Sequence, residues 1–293
     1  MDFQLPLIGF DASPKQKPFR TQLLKWVGNK QRFASEIIQY FPKDYGTYYE
    51  PFLGSGAVLG TLAPQKGVAS DALSPLIDLW QTLKNSPEQL KEQYTERWHI
   101  YYESEKPEGY ERIKASFNAN PNGADLLFLS RSCYGGVVRF RKDGYMSTPC
   151  GIHNPIKPEA FSKRVDEWHG RIKNTVFIHA DFEEVMNQAQ PGDLVYCDPP
   201  YADTQAILYG AQAFNLARLL DVIQECKRRG VYVALSLDGT KKSGGKTVRH
   251  SIPKGLFVRD IPVNCGRSML KRFQKEGETL EDEVVTDRLL LTY

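Results

Sequence analysis

Seven short apolar runs, none alternating strictly with polar residues, most narrowly limit what this chain can fold into. They are "TYYEPF" (47–52), "GVAS" (67–70), "TVFIHA" (175–180), "DLVYC" (193–197), "VYVALSL" (231–237), "LFVRDIPV" (256–263) and "RLLLTY" (288–293). A strand with one wet face alternates apolar and polar side chains. These runs, rich in β-branched and aromatic residues, read instead as strands covered on both faces. Helical patterns separate them, most clearly in "FNLARLLDVIQECKRRG" (214–230), where Leu216, Leu219, Leu220 and Ile223 form a stripe and Gly230 is a stop. Strands alternating with helices predict an α/β fold, a doubly wound and mostly parallel seven-stranded sheet, with the last two strands as an antiparallel hairpin at its edge.

Between residues 85 and 174 that rhythm is lost. A polar helical stretch gives way to the Gly-rich, basic "RSCYGGVVRFRKDGYMSTPCGIHNPIKP". The reading is an inserted, mainly helical lobe (85–174) in a sheet domain made of 1–84 and 175–293, a division that suits a chain of 293 residues. Hydrophobic residues at 41% and charged residues at 25% are ordinary globular usage. No apolar run reaches the roughly 20 residues of a membrane helix, and the start carries no secretory pattern, so a cytoplasmic protein is expected. Five cysteines, none in a C-x-x-C pair, argue against a disulfide framework and a zinc site.

The net charge of +3 decides nothing, but its distribution does. Ten Lys/Arg and one acid lie between Lys241 and Lys275, and nine Lys/Arg against four Asp/Glu between Arg131 and Lys173. A single basic run is usually solvated surface; two such runs, both rich in glycine and in aromatic or hydroxyl residues, point to a polyanion such as nucleic acid.

Three features carry chemistry. In "YYEPFLGSGAVLG" a strand runs into Gly54-Ser55-Gly56 and then an apolar helix, which is either a tight turn or a place where a ligand approaches backbone amides. Asp71 ends the next strand, as a helix cap or as the acceptor for ribose hydroxyls. Asp198 ends the strand "DLVY" and precedes two prolines and Tyr201. It is either an ordinary turn residue or a carboxylate held out to accept an N–H of a nucleobase amine, with Tyr201 stacked on the base.

In this order the motifs resemble the Dam-like (D12 class) DNA adenine-N6 methyltransferases, from about residue 22 to 293. "KWVGNK" matches the family's KW-x-G-x-K, "EPFLGSG" its EPF-x-G-x-G, "SDAL" its D-x-N and "DPPY" its catalytic tetrapeptide. "RSCYGGVVRF" with "MSTPCG" is similar to its DNA-entering hairpin, although Gly135 replaces an Asn, Val137 a Leu, and Leu73 the Asn of D-x-N. The resemblance implies S-adenosylmethionine as cofactor, enclosed by Trp26, Lys30, Glu50, Phe52, Gly54, Gly56, Asp71, Asp181 and Phe182. It implies catalysis by Asp198, Pro199, Pro200 and Tyr201 without a metal. Double-stranded DNA is the implied partner, met by Arg131, Tyr134, Val137, Arg139, Lys271 and Arg272, with Arg139 as guanine reader or phosphate clamp. A monomer or weak dimer is expected, and a companion restriction endonuclease is left open. An N4-cytosine methyltransferase and a catalytically idle DNA-binding module stand as alternatives.

Overall fold

The computed structural model describes residues 17–200, 214–238, 252–267 and 284–293. All seven apolar runs become strands: β1 (Tyr48–Glu50), β2 (Gly67–Asp71), β3 (Thr175–His179), β4 (Leu194–Cys197), β5 (Tyr232–Asp238), β6 (Arg259–Arg267) and β7 (Val284–Leu291). They form one sheet in the order β3-β2-β1-β4-β5-β7-β6. The first five are parallel, and β7 runs antiparallel to both β5 and β6. The pair of last strands is therefore antiparallel as the sequence predicts, but β7 wedges between β5 and β6, leaving β6 at the edge. Their bounds differ from those of the apolar runs: pairing extends β7 back to Val284, and β6 starts at Arg259 and continues to Arg267.

The chain winds outward from β1 to β3 and returns to β4 beside β1. Strand order thus reverses between β1 and β4, and a crevice opens at the carboxyl ends of these two strands. Helix α1 (Ala34–Ile38) precedes β1, and α2 (Ala57–Leu62) follows it. One face of the sheet carries α8 (Phe182–Met186) and α9 (Leu216–Arg228), whose Leu219, Leu220, Val222, Ile223 and Cys226 are buried. Asn215 caps α9 by accepting from Arg218 N–H, and Gly230 takes a φ of +80° just past its end.

Between β2 and β3 lie α3 (Ser74–Asn85), α4 (Pro87–Tyr102), α5 (Lys106–Ala119), α6 (Gly123–Ser132) and α7 (Pro158–Ile172). Only Ser86 separates α3 from α4, and the chain turns there. Trp80 of α3, Tyr94 of α4, Phe117 of α5, Phe128 of α6 and Trp168 of α7 belong to one apolar cluster with Tyr48 and Tyr196 of the sheet. Rigid continuity of that kind couples the intervening helices to the crevice. Among the described residues no helix is long and apolar enough to cross a membrane.

Candidate active site

The loop after β1 is locally unusual. Gly54 and Gly56 take φ of +47° and +61°, where a Cβ is strained. A side chain would also crowd its neighbours: a Cβ on Gly54 would lie 3.1 Å from Trp26 Nε1, and one on Gly56 3.1 Å from the Trp80 ring. Gly54 N–H donates to Asp71 Oδ2 at 3.0 Å and Gly56 N–H to the Leu53 carbonyl at 2.7 Å. These amides are paired inside the protein, so what the two glycines permit is the close approach of two indoles.

Against this loop lies the segment leading to Trp26 and Lys30. Helices α6 and α7 hold it by its carbonyls: Trp168 Nε1 donates to Thr21, Arg164 to Gln22 and Arg131 to Leu23, at 2.9, 2.6 and 2.8 Å. Between segment, loop and strand ends is a cavity of about 300 Å³. Trp26, Lys30, Glu50, Phe52, Gly54 and Asp71 line it, as do Asp181, Phe182, Asp198, Pro199 and Pro200. The sequence singles out every one of these. Gly56 sits outside the lining, and Tyr201 lies outside the described residues.

One side of the cavity is aromatic. The Phe52 and Phe182 rings stack at 5.3 Å, and Phe214 meets Phe52 edge-on at 5.8 Å. Asp181 caps α8, accepting from Glu183 N–H, and also accepts from Arg218 at 2.7 Å. The Arg218 guanidinium lies 4.9 Å from the Phe182 ring centre. Asp71 ties the loop together, with Oδ2 accepting from Gly54 and Oδ1 from Leu73 N–H at 3.0 Å. Burial raises its carboxyl above the usual value, and these backbone donors oppose the rise.

The other side is ionisable. Lys30, with 4% of its side chain exposed, places Nζ 2.9 Å from Asp198 Oδ1, 3.6 Å from Asp287 Oδ2 and 3.1 Å from the Gly28 carbonyl. Asp198 keeps 20% of its side chain open. Burial raises its carboxyl; Lys30 pulls it down and Asp287 pushes it up. Glu50 is buried and accepts from Tyr48 OH at 2.5 Å. Burial lifts it to about 8 against the pull of that hydroxyl, and Asp198 adds to the rise. Phe214, Arg218 and Asp287 were missed by the sequence reading. Only the aromatic placed before α9 gave any local signal.

The segment after α6 folds back as a narrow hairpin. Isolated antiparallel backbone pairings join Cys133 to Cys150, both free thiols, and Phe140 to Met146, with Gly144 at φ +81° in the tip. Side chains alternate: Val138, Phe140 and Met146 are buried while Arg139, Arg141 and Tyr145 are exposed. Tyr134 is 43% exposed beside it. Gly135, at φ +66°, occupies the left-handed region that Asn also tolerates, which accounts for glycine at that position. Two of the expected DNA contacts are turned into the protein. Val137 is buried in the hairpin base, and Arg131 spends its Nη1 on the Gln22 and Leu23 carbonyls, where burial lowers it to about 10. Lys271 and Arg272 lie outside the described residues.

A sheet with this strand order, an antiparallel β7, and a crevice holding a glycine loop and a strand-end Asp-Pro-Pro defines a Rossmann-like methyltransferase. Comparison with known proteins makes the class specific. The family model for D12 class N6 adenine-specific DNA methyltransferases matches residues 26–254, and the chain belongs to that family. It is 30% identical over 226 residues to the Type II methyltransferase M1.LlaDCHI of Lactococcus lactis subsp. cremoris, covering 72% of this chain and 79% of that one. It is also 30% identical over 277 residues to the Type II methyltransferase M.MjaIII of Methanocaldococcus jannaschii, covering 85% and 93%. With the DNA adenine methylase of Vibrio cholerae it shares 27% over 234 residues, 76% and 81% of the two chains. The protein is an adenine-specific DNA methyltransferase, and DNA is its substrate.

Proposed function

We propose that the protein transfers a methyl group from S-adenosylmethionine to N6 of an adenine rotated out of double-stranded DNA at a specific sequence, with Asp198 and the Pro199 carbonyl holding the amine. The observation that carries this reading is the Asp198 carboxylate, fixed by a buried lysine yet open to a cavity that has an aromatic side and a buried acid.

The residues present fit the cofactor. The Phe52, Phe182 and Phe214 rings offer a flat apolar wall for an adenine, with Asp181 at its edge. Asp71 and Glu50 line the cavity, where Asp71 would accept from ribose hydroxyls and Glu50 from the ammonium of the amino-acid part. When bound, the cofactor supplies a methyl carbon made electrophilic by its sulfonium. Asp198 and Pro199 accept the two N–H bonds of N6 and direct the nitrogen lone pair toward that carbon. Transfer to N6 would break the methyl–sulfur bond and release the neutral thioether, and the proton that N6 then sheds would pass to Asp198. Tyr201 stacks on the adenine. A raised Asp198 is a better proton acceptor than an ordinary carboxylate, although the step needs no strong base.

Residues 85–174 act as the recognition domain in this reading, with Tyr134 and Arg139 entering the duplex, while 1–84 and 175–293 carry catalysis. The cytoplasm is where such a protein meets its DNA. The test is Asp198→Ala, assayed by labelled methyl incorporation, nucleoside analysis, duplex binding and thermal melting. Lost transfer with intact binding and fold is the expected result. Near-normal turnover would sink the mechanism, and N4-methylcytosine among the wild-type products would overturn the base assignment.

A further inference from the structure

We propose that Asp287 is a positioning residue for methyl acceptance: through the Lys30 ammonium it sets the orientation and acceptor strength of the Asp198 carboxylate. The inference rests on the reading of Asp198 as the group that holds N6. Because β7 runs against the parallel strands, its early residues lie at the edge where those strands end, and Asp287 pairs in register with Asp238 of β5 and Val263 of β6. That edge is where Asp198 follows β4.

Lys30 reaches both carboxylates, Asp198 at 2.9 Å and Asp287 at 3.6 Å, and donates to the Gly28 carbonyl at 3.1 Å. The contacts to Asp198 and to the Gly28 carbonyl are within hydrogen-bond distance, and Asp287 at 3.6 Å meets the same ammonium as an ion pair. Side-chain exposures of 4% for Lys30 and 11% for Asp287 keep water from competing. One carboxylate would neutralise one buried lysine. A second is costly to bury unless its charge is used, since desolvating an ion costs several kcal/mol. Its use here is to divide the ammonium between two acceptors. Asp198 is held in place, yet it keeps acceptor capacity for N6 that an undivided lysine would take.

Among the described residues, the titratable groups facing Asp198 are Lys30, Asp287, Glu50 and the Cys197 thiol, which burial keeps protonated. Glu50, at about 8, is mostly protonated at neutral pH in the protein alone. Asp287 is therefore the negative group that counters Lys30.

The experiment is Asp287→Asn, which keeps the shape and removes the charge. Turnover should fall about 10- to 100-fold, the scale of a misplaced reacting group. The KM for duplex DNA should be unchanged, and the acid limb of kcat should move to lower pH because Asp198 loses the neighbour that raises it. Asp287→Glu should recover part of the rate and return the limb toward its original pH. A readout without turnover is the melting temperature of the protein alone. A carboxyl raised by folding costs stability as pH climbs past its unfolded value, so relieving Asp198 should make the Asn variant gain on wild type as pH rises above that unfolded value. If Asp287 acts through Lys30, then in the Lys30→Met background the Asn change should lower kcat no further. A folded Asp287→Asn enzyme with an unshifted acid limb would overturn the proposal, and so would full additivity with Lys30→Met. Should Asp287→Asn not fold, the Glu variant and the double variant decide by the same criteria. An active Asp198→Ala enzyme would refute the underlying mechanism, whereas an inactive one beside an unshifted Asp287→Asn profile refutes this inference alone.

Discussion

Glu50→Gln should stabilise the protein at pH 8 when no cofactor is present, even though it removes a residue of the site. Glu50 is buried, and its only described side-chain donor is the Tyr48 hydroxyl at 2.5 Å. Its carboxyl rises from 4.5 to about 8 in the fold, chiefly through burial. The folded chain therefore holds this proton over a pH range in which the unfolded chain has released it. Below pH 4.5 both states are protonated and nothing is lost. As pH rises toward 8 the unfolded state binds fewer protons, stability declines at ~1.4 kcal/mol per tenfold step in proton activity, and the accumulated cost is on the order of 4 kcal/mol. Glutamine keeps an oxygen for Tyr48 and has no proton to lose. The variant should melt roughly 5–8 °C above wild type at pH 8 for a chain of this size, with the gain gone by about pH 4.5. Thermal unfolding of the ligand-free proteins across that range measures it. The complementary assay is calorimetric: S-adenosylmethionine should release part of a proton on binding below pH 8, detected as a heat that depends on the buffer's ionisation enthalpy, and Glu50→Gln should abolish this release while weakening binding. A Glu50→Gln protein that melts with or below wild type at pH 8 would refute the reasoning.

Two further outcomes concern DNA. Arg139 is exposed on the hairpin, so Arg139→Ala should leave melting unchanged; if the guanidinium reads a guanine, preference at one base position should fall by about 1–3 kcal/mol. Methylation rates over a randomised set of duplexes check this, and a uniform drop with the same ranking would make Arg139 a phosphate clamp. Replacing Lys271 and Arg272 together by Ala, in the run of ten Lys/Arg between Lys241 and Lys275, should lower the slope of log K against log salt by about 0.9 per lost contact and leave sequence preference intact. Binding titrations at several salt concentrations decide it, and an unchanged slope would take this segment off the DNA.

What the sequence determined by itself is local. Each strand was legible because burial on both faces demands an unbroken apolar run, and helix α9 because its stripe and Gly230 mark a face and an end. The glycines of the β1 loop and the Asp-Pro-Pro after β4 were legible because unusual backbone needs particular residues. Tertiary structure decided what depends on distant neighbours. An apolar Val137 and a basic Arg131 gave no local hint that both are turned into the protein, since each residue reads the same in sequence whether it faces solvent or a buried neighbour. Phe214 joins Phe52 and Phe182 only because the chain returns to the crevice after β4. The charge state of Glu50 follows from desolvation, which no spacing records. Asp287 meets Lys30 because β7 runs backwards between β5 and β6, and the direction of a strand is set by the connection and the sheet that receive it, not by its own residues.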